Sequence, residues 1–458
     1  MAVNRDIVTT KPTGASDVVP PGPRARYPGE FVVELARNPI GLLERTAAYG
    51  DVAQIRIGSQ AIVVVSHPDE IRRVLVTEQR SFTKGRGLER SKFLLGEGLL
   101  TSEGEAHLRQ RRLVQPAFHR DRIAAYGRVM TEYTQAALAP WQSGQTIDLY
   151  EEMMRLTLRI AGRTLFDTEM EGAAADVTAT IALSLRLFRF AILPFGHLLE
   201  RMPLPWVRRL QRARERMNEL LYGMIRERRA SGIDRGDLLS MLLLAQDTEG
   251  GGGGLTDSQV RDEIITLLAA GHETTAVALT WTWCVLARQP SVLARLQAEV
   301  DAVLGDRPPT VADLDRLTYT RNVFAEGMRL YPPAWAIGRR AIRDVTLGPY
   351  RVTAGSLVVV SQHLVHRDNR WYIRPRQFDP DRWAPEVEAT RPKFAYFPFG
   401  AGTRVCIGES FAWMEGTLVL AAMAQRWTMR HDPTHRVEQM PVITLRPKYG
   451  MRMILRQR

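Results

Sequence analysis

The chain has 458 residues, 45% hydrophobic and 24% charged, with a formal net charge of +12. That length buries a large core and would by itself allow about three ordinary domains, and the composition excludes wholesale disorder. Two cysteines, Cys284 and Cys406, exclude a disulfide framework and point to a reducing compartment, where a lone thiol serves as ligand or nucleophile. The arginines that dominate the positive charge are scattered along helical segments. No basic arm with interleaved aromatics appears, which argues against nucleic acid and leaves an acidic protein partner open. The first thirty residues lack the n- and h-regions of a signal peptide. No stretch reaches the roughly 18 uninterrupted apolar residues of a spanning helix. A cytoplasmic protein without a transmembrane anchor is expected.

Residues 1–27 are polar and end in "VVPPGPRARYPGE", which predicts a flexible lead and a rigid entry turn before a domain spanning 28–458. "DVAQIRIGSQAIVVVSHP" alternates and then runs β-branched, predicting an early hairpin. Most of 104–305 has helical spacing, interrupted at "LPFGHLLERMPLPW" (193–206) and by the five glycines 250–254, a predicted surface loop. Thr256 to Gln259 reads as a capping box that opens a long helix. Beyond 340, short β-like runs ("SLVVVS", "VITLRP") mix with proline-rich coil. With no repeat and no shift in composition, the prediction is one large, mainly α domain with small β elements.

Three stretches stand out. "AGHETT" (Ala270–Thr275) places Gly271, Glu273, Thr274 and Thr275 inside the long helix, where propensity is poor. Its flanks are apolar nearly all round, so the segment is buried rather than an ordinary polar surface face. "EGMR" gives Glu326 and Arg329 an i, i+3 ion-pair spacing that alone is a weak signal. "FPFGAGTRVCIG" surrounds Cys406 with Gly400, Gly402 and Gly408 just before a helix. Glycines permit unusual backbone angles and close approach to a flat ligand. A thiol at a helix N-terminus gains from free amides and the dipole, and Arg404 adds a cation nearby. The plain alternative is an inert buried cysteine. Zinc lacks a second ligand at motif distance, and a nucleophile served by a spatially adjacent histidine stays open at this level.

Phe399, Gly402, Arg404, Cys406 and Gly408 fit F-x-x-G-x-R-x-C-x-G, with a chance agreement of roughly one in three million per site. The loop resembles the haem-binding loop of the cytochrome P450 family. The resemblance runs from the proline turn near residue 20 to "TLRP" at 444–447. It implies the mainly α haem-thiolate fold, with a smaller β-rich lobe toward the N-terminus. Cys406 would be the axial iron ligand, held with Phe399, Gly400 and Gly408 around haem b. Gly271 would make room over the haem, with Glu273 and Thr274 as the acid–alcohol pair that delivers protons. Glu326, Arg329 and Arg382 of "PRQFDPDRW" would form a structural triad supporting the cysteine loop. "EAHLRQRRLVQPAFH" resembles the helix whose W-x-x-x-R contacts a haem propionate, with His107 in place of tryptophan and Arg111 four residues on. Arg339 and Arg404 would serve the propionates, while Arg340 reads as a solvated surface charge.

The implied activity is a monooxygenase that inserts one atom of O2 into a lipophilic small molecule, terpenoid, carotenoid or fatty-acid-like. A peroxide-driven peroxygenase and a non-catalytic haem sensor or carrier are the alternatives, and retention of Glu273 and Thr274 argues against both. No flavin or ferredoxin segment is expected in the chain. NAD(P)H-derived electrons would arrive through a separate ferredoxin or flavodoxin with its reductase, to a monomer. A ferredoxin would dock on the arginines of "LRQRR", Arg109 and Arg112, beside Arg111. Pocket walls are expected near 84–100, 183–206, the "AGHETT" helix, "AWAIG" and 442–445. His67, His119, His197, His363 and His366 show no metal spacing, and Cys284 in "TWTWCVLA" reads as core.

Overall fold

The computed structural model describes residues 18–166, 205–247 and 253–458. Most of the segment 183–206, with His197, and most of the polyglycine run lie outside the described residues, as does the start of the N-terminal lead. The mainly α reading holds: among the described residues of 104–304, helices account for nearly everything apart from a three-residue strand (Thr146–Asp148) and connecting loops. The centre is the helix Asp257–Leu286, opened by the predicted capping box between Thr256 and Gln259. Gly271 does not interrupt it, because burial supplies what local propensity lacks. Trp281 and Trp283 are wholly buried along it, and Trp281 stacks on Tyr331 with ring centroids 4.4 Å apart. Cys284 is core, as predicted, and burial pushes its thiol up to about 12.

The predicted hairpin is Val52–Ile57 with Gln60–Val65, pairing Val52 with Val65. Gln60–Val65 runs parallel to Leu357–Val360, the "SLVVVS" strand. Ile337–Ala341 and Phe82–Lys84 complete a five-stranded sheet. "VITLRP" forms the return arm of a small hairpin, Gln439–Pro441 with Leu445–Pro447, rather than one continuous strand. The lead is not free over its whole predicted length. Val18 accepts from Arg351 N–H at 3.0 Å and Pro21 from Gln54 N–H at 2.7 Å, so the stretch before residue 28 lies along the sheet. An extended proline-rich segment has carbonyls free to receive such bonds.

Glu326 and Arg329, on the helix Thr318–Leu330, are fully buried and pair through two bonds of 2.8 Å. The guanidinium also donates to the carbonyls of His366 (2.6 Å), Pro375 (2.7 Å) and Gln377 (3.1 Å). Glu326 accepts from Asp379 N–H at 2.9 Å and from Trp383 Nε1 at 3.1 Å, with Arg382 Nε at 3.4 Å in ion-pair contact. Arg382 in turn donates to the carbonyl of Arg374 at 2.9 Å, which the left-handed backbone of Arg374 (φ 49°) presents. The triad therefore grips the 366–383 segment through its backbone. Breaking such a pair strands a buried charge and costs on the order of 3–5 kcal/mol. Arg329→Leu is expected to abolish recovery of folded protein, and Arg329→Lys to lower the melting temperature sharply, since an ammonium cannot span five acceptors. A calorimetric melt of Arg329→Lys matching wild type would contradict this role.

Candidate haem-thiolate site

Gly400 and Gly402 adopt left-handed angles, φ 72° and 73°, as the loop reading requires. A side chain at Gly402 would also come within 2.1 Å of the Leu75 carbonyl. Gly408 differs: its φ is −90°, and a methyl there would make ordinary contact with the Cys406 sulfur and Phe118. The loop is pinned from outside. Thr403 N–H donates to Gln79 Oε1 at 2.9 Å and Arg111 to the Val405 carbonyl at 2.7 Å, while within the loop Cys406 N–H donates to the Phe399 carbonyl at 2.9 Å. Phe397 N–H donates to His366 Nε2 at 3.0 Å, so that nitrogen carries no proton. Burial and the nearby arginines hold His366 neutral, well below the usual histidine range. Phe399 packs beside Trp413, with ring centroids 5.8 Å apart. Gln79 and His366 carried no motif signal, since their roles exist only through contacts made across the fold.

Cys406 is exposed as a residue, yet the protein packed around its thiol raises the pKa. The Gly408 N–H and Arg111 oppose that rise without offsetting it, and Glu409 adds to it. One expectation is corrected: the cation that acts on the thiol is Arg111 rather than Arg404. Arg404 turns away, donating to Glu103 at 2.5 Å and to the Phe82 carbonyl at 3.1 Å.

Arg404 instead joins a buried basic cluster. The sheet register sets Lys84 directly opposite Arg339, two cations on paired strands, an arrangement that is unfavourable alone. Lys84 donates to the carbonyls of Leu99 (2.8 Å) and Ser102 (2.6 Å), and burial lowers it to about 7. Arg339 bonds to the Gly338 carbonyl and pairs with no carboxylate among the described residues; burial, then Arg404, brings it down to about 10. His107 on the helix Gly104–Val114 is held neutral, at about 4, by burial and then by Lys84, Arg404, Arg111 and Arg339. Glu103 is the carboxylate bonded into this group. Such an excess of buried positive charge fits an anionic partner, such as the carboxylates of haem. Arg340, 39% exposed with Glu89 at 4.0 Å, is a surface charge as predicted.

The long helix is buried almost all round, but Ala270 is exposed in its middle, and Ala269, Gly271 and Thr274 are only part-buried beside it. A methyl on Gly271 would meet nothing within 4 Å. Ile407, next to Cys406, and Ala269 both pack against the apolar cluster that contains Leu268. A flat, apolar ligand with acidic groups fits between a thiol, an open helix face and a basic cluster. Thr274 donates to the Ala270 carbonyl at 2.8 Å and lies on the open patch. Glu273, adjacent in sequence, turns instead to Thr444 and Arg446, partners that were missed because they lie more than 170 residues on. The structure does not bring the two side chains of the acid–alcohol pair to one place.

The expected docking arginines are also engaged. Arg109 reaches Asp247 at 3.2 Å and the Gly253 and Gly254 carbonyls, and Arg112 reaches the same carboxylate at 3.2 Å. Asp247 offsets much of the charge that the sequence counts as free. Two of the other described histidines are structural: His67 caps a helix through Asp69 N–H at 3.2 Å, and His363 bonds Arg367 at 2.8 Å. His119 begins the helix Arg120–Leu138.

The cytochrome P450 family model matches residues 33–452. Cyclooctatin synthase of Streptomyces melanosporofaciens is 43% identical over 414 residues, 90% of each chain. Pentalenene oxygenase of Streptomyces avermitilis is 36% identical, covering 93% of this chain and 94% of its own. The crystal structure of the cytochrome P450DA haem domain superposes with a TM-score of 0.85 at 28% identity, covering 96% of this chain and 98% of that one.

One further acid lies beside the site. Glu415, on the helix Glu409–Arg426, is fully buried against Thr275, and neither oxygen makes a well-formed hydrogen bond. Burial raises it from 4.5 to about 8, and Thr275 opposes this only in part. The folded chain therefore holds a proton that the unfolded chain releases above about 4.5. The associated stability is present at low pH, declines as pH rises through this window, and is lost above about 8. Glu415→Gln is expected to flatten that decline, an effect on the order of 3–5 kcal/mol at alkaline pH. Parallel stability-against-pH curves for the two proteins would show that Glu415 does not titrate in this way.

Proposed function

Because the chain belongs to the cytochrome P450 family, we propose that it is a haem-thiolate monooxygenase that hydroxylates a terpenoid hydrocarbon or its partly oxidised derivative, with Cys406 as the iron ligand. The observations that carry the site assignment are an exposed Cys406 in a loop with two left-handed glycines, an opened face on an otherwise buried helix, and the Lys84–Arg339–Arg404 cluster. When bound, haem b would supply the activation of O2, using electrons from NAD(P)H through a ferredoxin or flavodoxin and its reductase.

The remaining chemistry belongs to the chain. Cys406 would hold the metal from one side, and the loop bonds from Gln79, Arg111 and His366 keep the sulfur in place. Arg339, Arg404 and His107 would hold the cofactor's carboxylates. Gly271 leaves room over the ring, and Thr274 would hold a water or hydroxyl on the oxygen side. Glu273 would take protons from solvent water and pass them on. The segment Ala334–Ile337 and the turn at Val442 and Ile443 are part-buried and uncharged, so they suit a hydrocarbon and offer little to a polar substrate. The names of the two Streptomyces relatives point the same way, toward terpenoid chemistry.

Two measurements test this reading. Reduced protein under carbon monoxide is expected to show the red-shifted Soret band of a thiolate ligand, and Cys406→His to show an ordinary histidine-haem spectrum instead. A freshly reduced wild type lacking that band would overturn the ligand assignment. Thr274→Ala is expected to keep the band and the substrate-induced spin shift while diverting most NADPH electrons to hydrogen peroxide, roughly a tenfold loss of product per NADPH. The alternative, that Thr274 only braces the helix through its 2.8 Å bond to Ala270, predicts intact coupling with a small loss of stability.

A further inference from the structure

We propose that Arg446, assisted by Thr444, is a positioning residue for Glu273: it fixes one carboxylate oxygen so that the other is left to carry protons. This rests on the monooxygenase reading and adds to it a residue that sits on another element of the fold. Glu273 and Thr274 leave the helix about 100° apart, so one cannot face the open patch without turning the other aside. Thr274 takes the patch. Glu273 points to the hairpin Gln439–Pro441/Leu445–Pro447, where its Oε1 accepts from both Thr444 Oγ1 and Arg446 Nε. Oε2 receives no hydrogen bond from the described residues. Both partners are buried, with side chains 3% and 11% exposed.

An ion pair in this setting is rigid, because either partner alone would be stranded in a poorly solvated place. Burial lowers the Arg446 guanidinium, but its bond and charge interaction with Glu273 more than reverse this. The groups facing the pair are Tyr150, from the helix Leu149–Phe166, and His272, from Glu273's own helix. Burial pushes the Tyr150 hydroxyl well above the usual phenol range and holds His272 below its usual range, so neither competes for the guanidinium near neutral pH.

The hairpin is itself tied to the pocket wall. Trp281 Nε1 donates to the Leu445 carbonyl at 2.7 Å, Leu445 N–H to Pro333 at 3.0 Å, and Trp335 Nε1 to the Val442 carbonyl at 2.9 Å. On the monooxygenase reading, one turn would border the substrate space through Val442 and Ile443, and it sets the acid through Thr444 and Arg446. The placement of Glu273 would then depend on a segment that substrate contacts, linking proton supply to pocket geometry.

The test compares Arg446→Leu, Arg446→Lys, Thr444→Val and Glu273→Gln, together with the double variants Arg446→Leu/Glu273→Gln and Thr444→Val/Glu273→Gln, in the haem-loaded enzyme. Arg446→Leu is expected to keep the carbon monoxide band and to lower product per NADPH about fivefold, while Arg446→Lys recovers about half of that loss. In the Glu273→Gln background neither Arg446→Leu nor Thr444→Val should lower coupling further, because a positioning residue has nothing left to position. An infrared readout needs no turnover: Arg446→Leu at neutral pH should gain a protonated-carboxyl band that the double variant lacks, since a buried carboxyl without its cation favours the neutral form. Should Arg446→Leu fail to fold, Thr444→Val carries the test, with about a twofold loss that vanishes in the Glu273→Gln background. Wild-type coupling in Arg446→Leu, an equal further loss in the Gln background, or an unchanged infrared spectrum would overturn the proposal. A wild type that forms no product with NADPH and a redox partner would instead defeat the functional reading itself.

Discussion

The guanidinium of Arg329 is the interaction on which the site depends. It is fully buried, paired with Glu326, and donates to three carbonyls in the 366–377 segment. One of these belongs to His366, whose ring nitrogen accepts the N–H of Phe397, the first residue of the cysteine loop. Cys406 is thereby connected, through one neutral histidine, to the most deeply buried ion pair described. A loop with two left-handed glycines has little intrinsic preference for one shape, so rigidity must come from bonds to its surroundings. His366, itself held by Arg329, supplies one, and Gln79 and Arg111 supply the others.

The same loop carries an electrostatic cost on its other side. Pairing Lys84 with Arg339 across two strands, beside Arg404, places cations where water cannot screen them. Lys84, Arg339 and His107 are all driven toward their neutral forms, chiefly by burial. A fold selected for stability alone would not collect them here. An acidic cofactor gains affinity from that cost, since its carboxylates relieve a repulsion the protein otherwise bears. Binding of haem and stability of this lobe are therefore expected to be linked.

The central helix shows a second compromise. Nearly every face is buried, so it tolerates the poor propensity of "AGHETT" and spends one short stretch on function. Helix geometry then separates two neighbours: Thr274 lies on the opened patch, while Glu273 is held by a hairpin from the end of the chain. Opposite needs, an exposed hydroxyl and a guarded carboxylate, are met by adjacent residues because the helix turns about 100° between them.

Much of this was legible in the sequence because it is local. The capping box at Thr256, the early hairpin, the glycine-framed loop and the Glu326–Arg329 spacing each follow from residues within a few positions of one another. The cysteine motif was specific enough to identify the family, and Gly400 and Gly402 of its loop take left-handed angles. Tertiary structure alone decided which charges are free and which are spent. Arg109 and Arg112 close on Asp247, Arg404 leaves the thiol to Arg111, and Glu273 turns from Thr274 to Arg446. Backbone preference acts over a few residues and is written in neighbours. The partner of a long charged side chain is chosen by whatever the fold brings within hydrogen-bond reach, and no local pattern encodes that choice.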